Sequence, residues 1–118
     1  MKLRPPDAQE QDALTDICIR SKAFWGYDDL FMARSVPVLT VTDDMIASGL
    51  VLVLADDKDH PVGIAALEAT GKPGWLELAL FFIDPDYIGQ GGGRILFDGI
   101  IRLARQQGTA MLKILADP

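Results

Sequence analysis

The sequence predicts an α/β fold in which helices cover a mixed sheet (α+β). Three apolar, strand-like runs follow one another with only short polar turns between them, which favours antiparallel pairing. An amphipathic segment then separates the third run from a last short strand, and such a crossover joins parallel strands with a right-handed connection. The predicted order of elements is β-α-α-β-β-β-α-β.

Composition limits the classes of function. With 118 residues, 49% of them apolar, the chain is expected to form one domain, residues 1–118. The single cysteine, Cys18, excludes an internal disulfide and favours a reducing, cytoplasmic setting. The net charge of −6 argues against a nucleic-acid partner. No apolar run is long enough to cross a bilayer, so no membrane partner is expected either.

A short strand and a long helix are predicted at the N-terminus. Lys2–Arg4 precedes two prolines, and Asp7 is a candidate N-cap with Glu10 completing a capping box. The helix should run to about Trp25, because apolar or small residues recur at helical spacing. These residues are Ala13, Leu14, Ile17, Cys18, Ser21 and Phe24.

A second helix is predicted over about Asp29–Ser35, capped by Asp28 and ending before Pro37. The segment Val36–Thr42 fits either an irregular strand or a covering loop. One helical turn could begin at Thr42 and close at Gly49.

The remaining strands are marked by apolar and β-branched runs between turn residues. Gly63 is a candidate bulge or point of close approach. A helix is predicted over Gly91–Gln107, with Gly108 ending it. The strands are predicted at Leu50–Ala55, Val62–Ala69, Trp75–Ile83 and Met111–Leu115.

A glycine-rich segment between a strand and a helix is the main candidate site. Gly89, Gly91 and Gly93 alternate there, and the first N–H groups of a helix bind phosphate without a basic side chain. A dinucleotide fingerprint requires G-x-G-x-x-G, and here the third glycine comes one residue too early. A P-loop requires a Lys-Ser or Lys-Thr pair after the glycines, which is absent. The remaining alternative is a turn that only lets helix and strand pack closely.

Two segments carry a resemblance to a known family. Ile83–Arg94, with sequence IDPDYIGQGGGR, resembles the acyl-CoA-binding motif of GNAT N-acetyltransferases, Q/R-x-x-G-x-G/A after a strand ending in V-D-P. Arg20–Tyr27 resembles the segment R-S-K-A-x-W-G-Y of one bacterial branch of that superfamily. The order of elements is also similar over the whole chain. The usual Gln/Arg position falls on Ile88, so a backbone contact could be kept there but not a side-chain contact.

The resemblance implies a GNAT-like fold and acetyl-CoA as cosubstrate. The backbone from Gly89 to Arg94 would hold the pyrophosphate, and the backbone of Phe81 and Ile83 would pair with the pantetheine arm. Arg94 could add charge near the phosphates, although a solvated arginine is the alternative. The implied cofactor-binding residues are Phe81, Phe82, Ile83, Ile88, Gly89, Gln90, Gly91, Gly92, Gly93 and Arg94.

Direct acetyl transfer to an amine requires a base that makes the amine neutral. Glu77 is the candidate, as the only charged residue of Trp75–Ile83, and strand alternation would place it on one face with Phe81. A glutamate that faces solvent or a partner cation is the alternative. No covalent intermediate is needed, so Cys18 is expected to belong to the core.

The acceptor side is implied by the Arg20–Tyr27 segment. Trp25 and Tyr27 would bind substrate, or else only pack a helix corner. Glu68 is a second, weaker acceptor-site carboxylate. No grouping of residues has the spacing of a metal site, so no metal is expected.

GNAT domains usually continue past the fifth strand with a helix whose tyrosine protonates the departing thiolate. We therefore expect this chain to be C-terminally truncated or naturally short, without a residue for that role. An exposed last strand, Met111–Leu115, would invite a homodimer. The expected function is N-acetyl transfer to a primary amine of a small molecule or peptide, and the alternative is an inactive acyl-CoA-binding or interaction domain.

Overall fold

The structure is a computed structural model that describes residues 1–26 and 28–114. It contains a five-stranded sheet with helices on both faces. The strands are β1 (Lys2–Arg4), β2 (Val51–Ala55), β3 (Pro61–Ala69), β4 (Trp75–Ile83) and β5 (Met111–Ile114). The helices are α1 (Gln11–Phe24), α2 (Asp29–Leu39), α3 (Asp43–Ala47) and α4 (Gly92–Gln106).

The strands lie in the order of the sequence, β1-β2-β3-β4-β5. The first four pair antiparallel, and β5 pairs parallel to β4 across the α4 crossover. The predicted mixed sheet is confirmed. A register shift beside Gly63 leaves Val62 as the extra residue of β3, and a Cβ at Gly63 would lie 2.9 Å from Cδ1 of Ile83. Gly63 is therefore both next to a bulge and a point of close approach.

Two hydrophobic cores lie on opposite faces of the sheet. One lies under α1 and α2 and includes Leu14, Ile17, Cys18, Leu39, Val53 and Leu80. The other lies under α4 and includes Leu54, Val62, Leu67, Leu96, Ile100 and Ala104. Because β2 and β3 are sandwiched between the two cores, their residues read as nearly continuous apolar runs.

Helix α1 begins later than predicted, at Gln11, with Glu10 in the N-cap position. The carboxylate of Glu10 accepts the Asp7 backbone N–H at 2.8 Å, which is half of the predicted capping box. The same carboxylate also binds the guanidinium of Arg4 at 2.7 and 2.8 Å. Residues 7–10 therefore form a turn held against β1, and the helix follows it.

Helix α2 does not end at Ser35 but continues through Pro37 to Leu39, so the first four residues of Val36–Thr42 are helical and only residues 40–42 form an irregular connection. The φ angle that proline imposes is compatible with a helix, and Leu39 is buried in the core under α1. The Thr40 hydroxyl donates to the Val36 carbonyl at 2.7 Å near the end of the helix. The short turn predicted at Thr42 is confirmed, since its side chain accepts the Met45 N–H.

Strand β5 is an edge strand, and Met111 and Ile114 are each 50% exposed. Its predicted last residue, Leu115, lies outside the described residues. The dimer through this edge stays a prediction. Among the described residues, no helix is long and apolar enough to span a membrane.

Candidate active site

A bulge in β4 determines which side chains face the site. Ala66 pairs with Leu80, but the next residue of β3 pairs with Leu78, so Ala79 has no partner on β3. The alternation of side chains therefore reverses at Ala79. Leu78 and Phe81 both pack under α4, whereas Leu80 packs under α1.

This bulge corrects the predicted face of Glu77. Regular alternation would place Glu77 with Phe81, but the neighbours of Glu77, Leu76 and Leu78, both pack under α4. Glu77 consequently lies on the α1 face, the face of Leu80. The prediction was wrong because it counted alternate residues across a position where one extra residue is inserted.

The described residues of β5 pair with only the first part of β4. The described pairing runs from Trp75 with Met111 to Leu78 with Ile114, and stops where the bulge begins. In the described part of the chain, the β4 edge from Ala79 to Ile83 has no strand beside it. A ligand with amide groups can bind such an edge as an added strand.

A cavity of about 1070 Å³ lies along this edge. Ligand pockets typically have volumes of about 300–1,000 Å³, so the cavity has the size for a cosubstrate arm and an acceptor. It brings together seven of the predicted site residues, namely Trp25, Glu68, Glu77, Phe81, Phe82, Ile83 and Ile88. Ser21, Lys22 and Val38 also line it.

Charged side chains form a row on the α1 face. Glu77 pairs in register with Glu68 on β3 and with Lys113 on β5. Glu77 is half-buried and Glu68 is exposed, and both line the cavity. Carboxylates in this position can attract an ammonium group and accept its proton.

The segment Asp84–Gly91, here called the glycine loop, connects β4 to α4. Pro85–Tyr87 forms a single 3₁₀ turn, and Gly89 and Gly91 then adopt φ angles of +86° and +82°. Gly91 occupies the N-cap of α4 without a side-chain hydrogen bond to the first turn. The leading N–H groups of α4 are thus without a capping side chain, as an anion site requires.

The glycines have different roles. A Cβ at Gly92 would lie 2.8 Å from Cδ2 of Leu54, so this residue lets α4 pack on the sheet. A Cβ at Gly89, Gly91 or Gly93 would have no neighbour within 4 Å among the residues that the structure describes. Close packing therefore explains only Gly92, and the other three face open space that a ligand could fill. Gln90 and Arg94 are exposed beside them.

The sequence itself matches a family model. The acetyltransferase (GNAT) family model matches residues 19–117. The chain belongs to this family. The predicted class, an acyl-CoA-dependent N-acyltransferase, is thereby confirmed at the level of the family. No curated protein matches the chain in sequence.

Solved structures share the GNAT fold. The PaiA N-acetyltransferase of Thermoplasma acidophilum, in complex with coenzyme A, matches with a TM-score of 0.77 at 14% identity, over 92% of this chain and 74% of that one. A GNAT family acetyltransferase of Brucella melitensis, in complex with acetyl-CoA, gives 0.72 at 19% identity, over 99% and 76%. The ribosomal-protein-S18-alanine N-acetyltransferase of Escherichia coli gives 0.66 at 20% identity, over 96% and 64%. The predicted fold class is confirmed.

Two residues of this GNAT chain, Trp25 and Tyr27, were predicted to bind the acceptor substrate. Trp25 is 67% exposed, lines the cavity and contacts Phe24 edge-to-face, with 5.2 Å between ring centroids. Tyr27 lies outside the described residues. The resemblance of Arg20–Tyr27 to one bacterial branch is not tested by the family match and stays a prediction.

Two other reactive groups are not placed to take part in transfer. Cys18 is buried in the core under α1, and burial raises the pKa of its thiol to about 12. Tyr87 does not line the cavity, and its hydroxyl donates to Asp56 at 3.4 Å. Among the described residues, no group of three or more potential metal ligands comes together.

An ion pair that was not expected from the sequence joins α1 to the glycine loop. Arg20 donates to both carboxylate oxygens of Asp84, at 3.1 and 2.7 Å. The guanidinium holds the pKa of Asp84 below its usual range, against the opposing effect of burial. The only signals in the sequence were the Asp-Pro that ends β4 and the arginine that opens the Arg20–Tyr27 segment.

Acid is expected to destabilise this GNAT chain through Asp84. The pKa of Asp84 is lower in the folded state than in the unfolded state. The ion pair with Arg20 therefore makes its full contribution to stability at pH values above the unfolded carboxyl pKa of about 4. This stability is lost as the pH falls through the lower, folded pKa. Urea unfolding at neutral pH and at about pH 3 should show a larger loss for the wild type than for Asp84→Asn. Equal losses would show that the pair does not contribute to acid sensitivity.

Proposed function

We propose that this chain binds acetyl-CoA and transfers its acetyl group to a primary amine of a small molecule or peptide. The observation that supports this best is the β4 edge from Ala79 to Ile83, beside which the described residues place no strand and which leads through the glycine loop to the uncapped start of α4. An extended arm bound along the edge would place a diphosphate at the glycine loop. The family match and the folds solved with coenzyme A support the same cosubstrate.

The residues fit such a cosubstrate on physical grounds. The N–H groups from Gly89 to Arg94 can hold the diphosphate, because Gly91 provides no capping side chain for α4 and no atom of the described residues fills the space beside three of the glycines. The backbone of Phe81 and Ile83 is available to hydrogen-bond the pantetheine amides. Acetyl-CoA supplies the activated acetyl group when it is bound.

Glu77 is assigned as the base that takes the proton of the acceptor amine. Glu77 lines the cavity and lies on the α1 face, next to the bulge at which the described pairing of β4 with β5 ends. Glu68, its neighbour on β3, would help to attract the ammonium form of the acceptor. The lone pair of the amine forms the new C–N bond, the C–S bond breaks, and the sulfur leaves with its electron pair as a thiolate. Water protonates this thiolate, and Glu77 returns the amine proton to solvent. No tyrosine of the described residues lines the cavity to protonate the thiolate.

Trp25 is assigned to the acceptor side, because it lines the cavity from the end of α1. Tyr27 keeps the same proposed role from the resemblance alone. The organisation of residues 1–118 as one domain, a cytoplasmic location and the independence from metal remain predictions.

Calorimetry tests the proposal. Titration of the protein with acetyl-CoA and with coenzyme A should give saturable binding, and a primary-amine panel should then release free thiol from acetyl-CoA. If neither acetyl-CoA nor coenzyme A binds, the assignment of acetyl-CoA as cosubstrate is wrong. Binding without thiol release for any amine would instead favour an acyl-CoA-binding protein that lacks transferase activity.

A further inference from the structure

We propose that Arg20 is a positioning residue for the cosubstrate, which acts by holding Asp84 at the start of the glycine loop. The inference rests on the proposed function, since it concerns the acetyl-CoA site. Arg20 is the first residue of the Arg20–Tyr27 segment, and the proposed acetyl-transfer chemistry gives it no role.

Asp84 determines the path of the chain into the glycine loop. Its backbone N–H donates to the Val62 carbonyl at 2.8 Å, which fixes it to β3. Its side chain accepts the Asp86 N–H at 3.0 Å, and its carbonyl accepts the Tyr87 N–H at 2.9 Å. Asp84 therefore joins the end of β4 to the 3₁₀ turn that leads to Gly89.

Arg20 stabilises Asp84 in its ionised, hydrogen-bonded form. The side chain of Asp84 is only 10% exposed, so its carboxylate depends on a partner. Arg20 provides two hydrogen bonds to it through its two terminal nitrogens, and its Nε–H donates to Asp16 at 2.7 Å. A guanidinium held at three of its donors has a fixed position.

The Arg20–Asp84 ion pair should also favour cosubstrate binding through its charge. An unpaired carboxylate at the entrance of an anion site would repel a diphosphate. Arg20 neutralises that carboxylate before the chain reaches the uncapped start of α4. Removal of the guanidinium should therefore weaken cosubstrate binding in two ways, by loosening the turn and by exposing a negative charge.

Arg20 also connects the two sides of the cavity. The next residues of α1, Ser21 and Lys22, line the cavity, as does Trp25 at the end of the helix. The ion pair with Asp84 therefore fixes α1, which carries the acceptor side, to the loop that would hold the cosubstrate.

The chain offers a matched control at Arg4. Arg4 also binds both oxygens of one carboxylate, Glu10, and a second acid, Asp59, at 2.8 Å. This pair lies between β1 and the turn before α1, and none of its residues lines the cavity. Arg4→Gln therefore removes a similar ion pair without touching the proposed site.

Calorimetry with coenzyme A should separate the two pairs. Arg20→Gln is expected to raise the dissociation constant by about tenfold, the factor that corresponds to about 1.4 kcal/mol, and Arg20→Lys by a smaller factor because it keeps the charge. Arg4→Gln should leave the dissociation constant unchanged while lowering the melting temperature. Equal weakening by Arg20→Gln and Arg4→Gln, or no weakening by Arg20→Gln, would overturn the proposal.

A double variant tests whether the effect passes through Asp84. In Asp84→Asn the side-chain oxygen can still accept the Asp86 N–H, but the charge is gone. Arg20→Gln/Asp84→Asn should therefore bind coenzyme A more tightly than Arg20→Gln alone. If the double variant binds coenzyme A no more tightly than Arg20→Gln alone, the charge argument is wrong.

Hydrogen exchange makes the test independent of the proposed function. In the ligand-free protein, Arg20→Gln should speed amide exchange at Asp86 and Tyr87 by about tenfold, the factor for about 1.4 kcal/mol of lost local stability. Arg4→Gln should not. If the wild type fails to bind coenzyme A, the proposed function fails, whereas unchanged exchange in Arg20→Gln removes the positioning role itself.

Discussion

Glu77→Gln is expected to lower kcat for acetyl transfer by about 10²–10³, within the range of about 10²–10⁴ that a positioned base contributes. Glutamine has nearly the same shape as glutamate and keeps the hydrogen-bonding oxygen, but it cannot take a proton from the acceptor. The affinity for acetyl-CoA should not change, because the proposed contacts of the cosubstrate are with the backbone of β4 and the glycine loop. Steady-state kinetics and calorimetry on one preparation separate these two quantities.

Glu68→Gln is the matched control for this prediction. Glu68 lies beside Glu77 on β3, lines the same cavity and carries the same charge. If it only attracts the acceptor, its loss should raise the acceptor KM by about two- to tenfold and leave kcat nearly unchanged, as expected for uniform binding. A large fall in kcat in Glu68→Gln and none in Glu77→Gln would transfer the role of base to Glu68.

Most of the fold could be predicted because its signals are local. Turn residues separate the strands, helical spacing marks α1 and α4, and the length of the crossover requires β4 and β5 to be parallel. The end of α2 could not be predicted in this way. Pro37 ends a helix in most sequences, but the burial of Leu39 in the core keeps this helix intact.

The parts of the site that were missed depend on contacts between distant segments. The Ala79 bulge exists only in the pairing of β4 with β3, and nothing in the sequence of β4 marks it. Alternation alone therefore placed Glu77 on the wrong face while identifying the right residue for the cavity. Arg20 and Asp84 are 64 residues apart, and only the fold brings them together.

The loop glycines were predicted from a local motif, but the motif does not say which of them pack and which face a ligand. The two roles can be distinguished only from the space around each Cα. A Cβ at Gly92 would collide with Leu54, whereas a Cβ at Gly93 would lie in open space. This difference makes Gly93, in the first turn of α4, the most informative of these glycines, because a side chain can be added there without disturbing the fold.

Gly93→Asp is expected to abolish measurable cosubstrate binding while stabilising the protein. Gly93 lies in the first turn of α4, is not among the glycines with positive φ, and would place a Cβ in open space. A carboxylate in the first turn interacts favourably with the helix dipole, by about 0.3–1 kcal/mol. The same charge about 5 Å from a bound phosphate would cost about 3 kcal/mol at an effective dielectric constant of 20, which is at least about 100-fold in affinity.

Gly93→Asn and Gly93→Ala separate charge from size. Asparagine has the shape of aspartate without its charge, and alanine adds only a Cβ, so both should bind coenzyme A more tightly than Gly93→Asp does. Melting temperature and calorimetry would be measured on all three variants and on the wild type. If the start of α4 serves only for packing, Gly93→Asp and Gly93→Asn should not differ in their affinity for coenzyme A. If Gly93→Asp instead melts at a higher temperature than the wild type but no longer binds coenzyme A, the uncapped end of α4 serves as an anion site. The added carboxylate would then interact favourably with the helix N-terminus and repel the diphosphate.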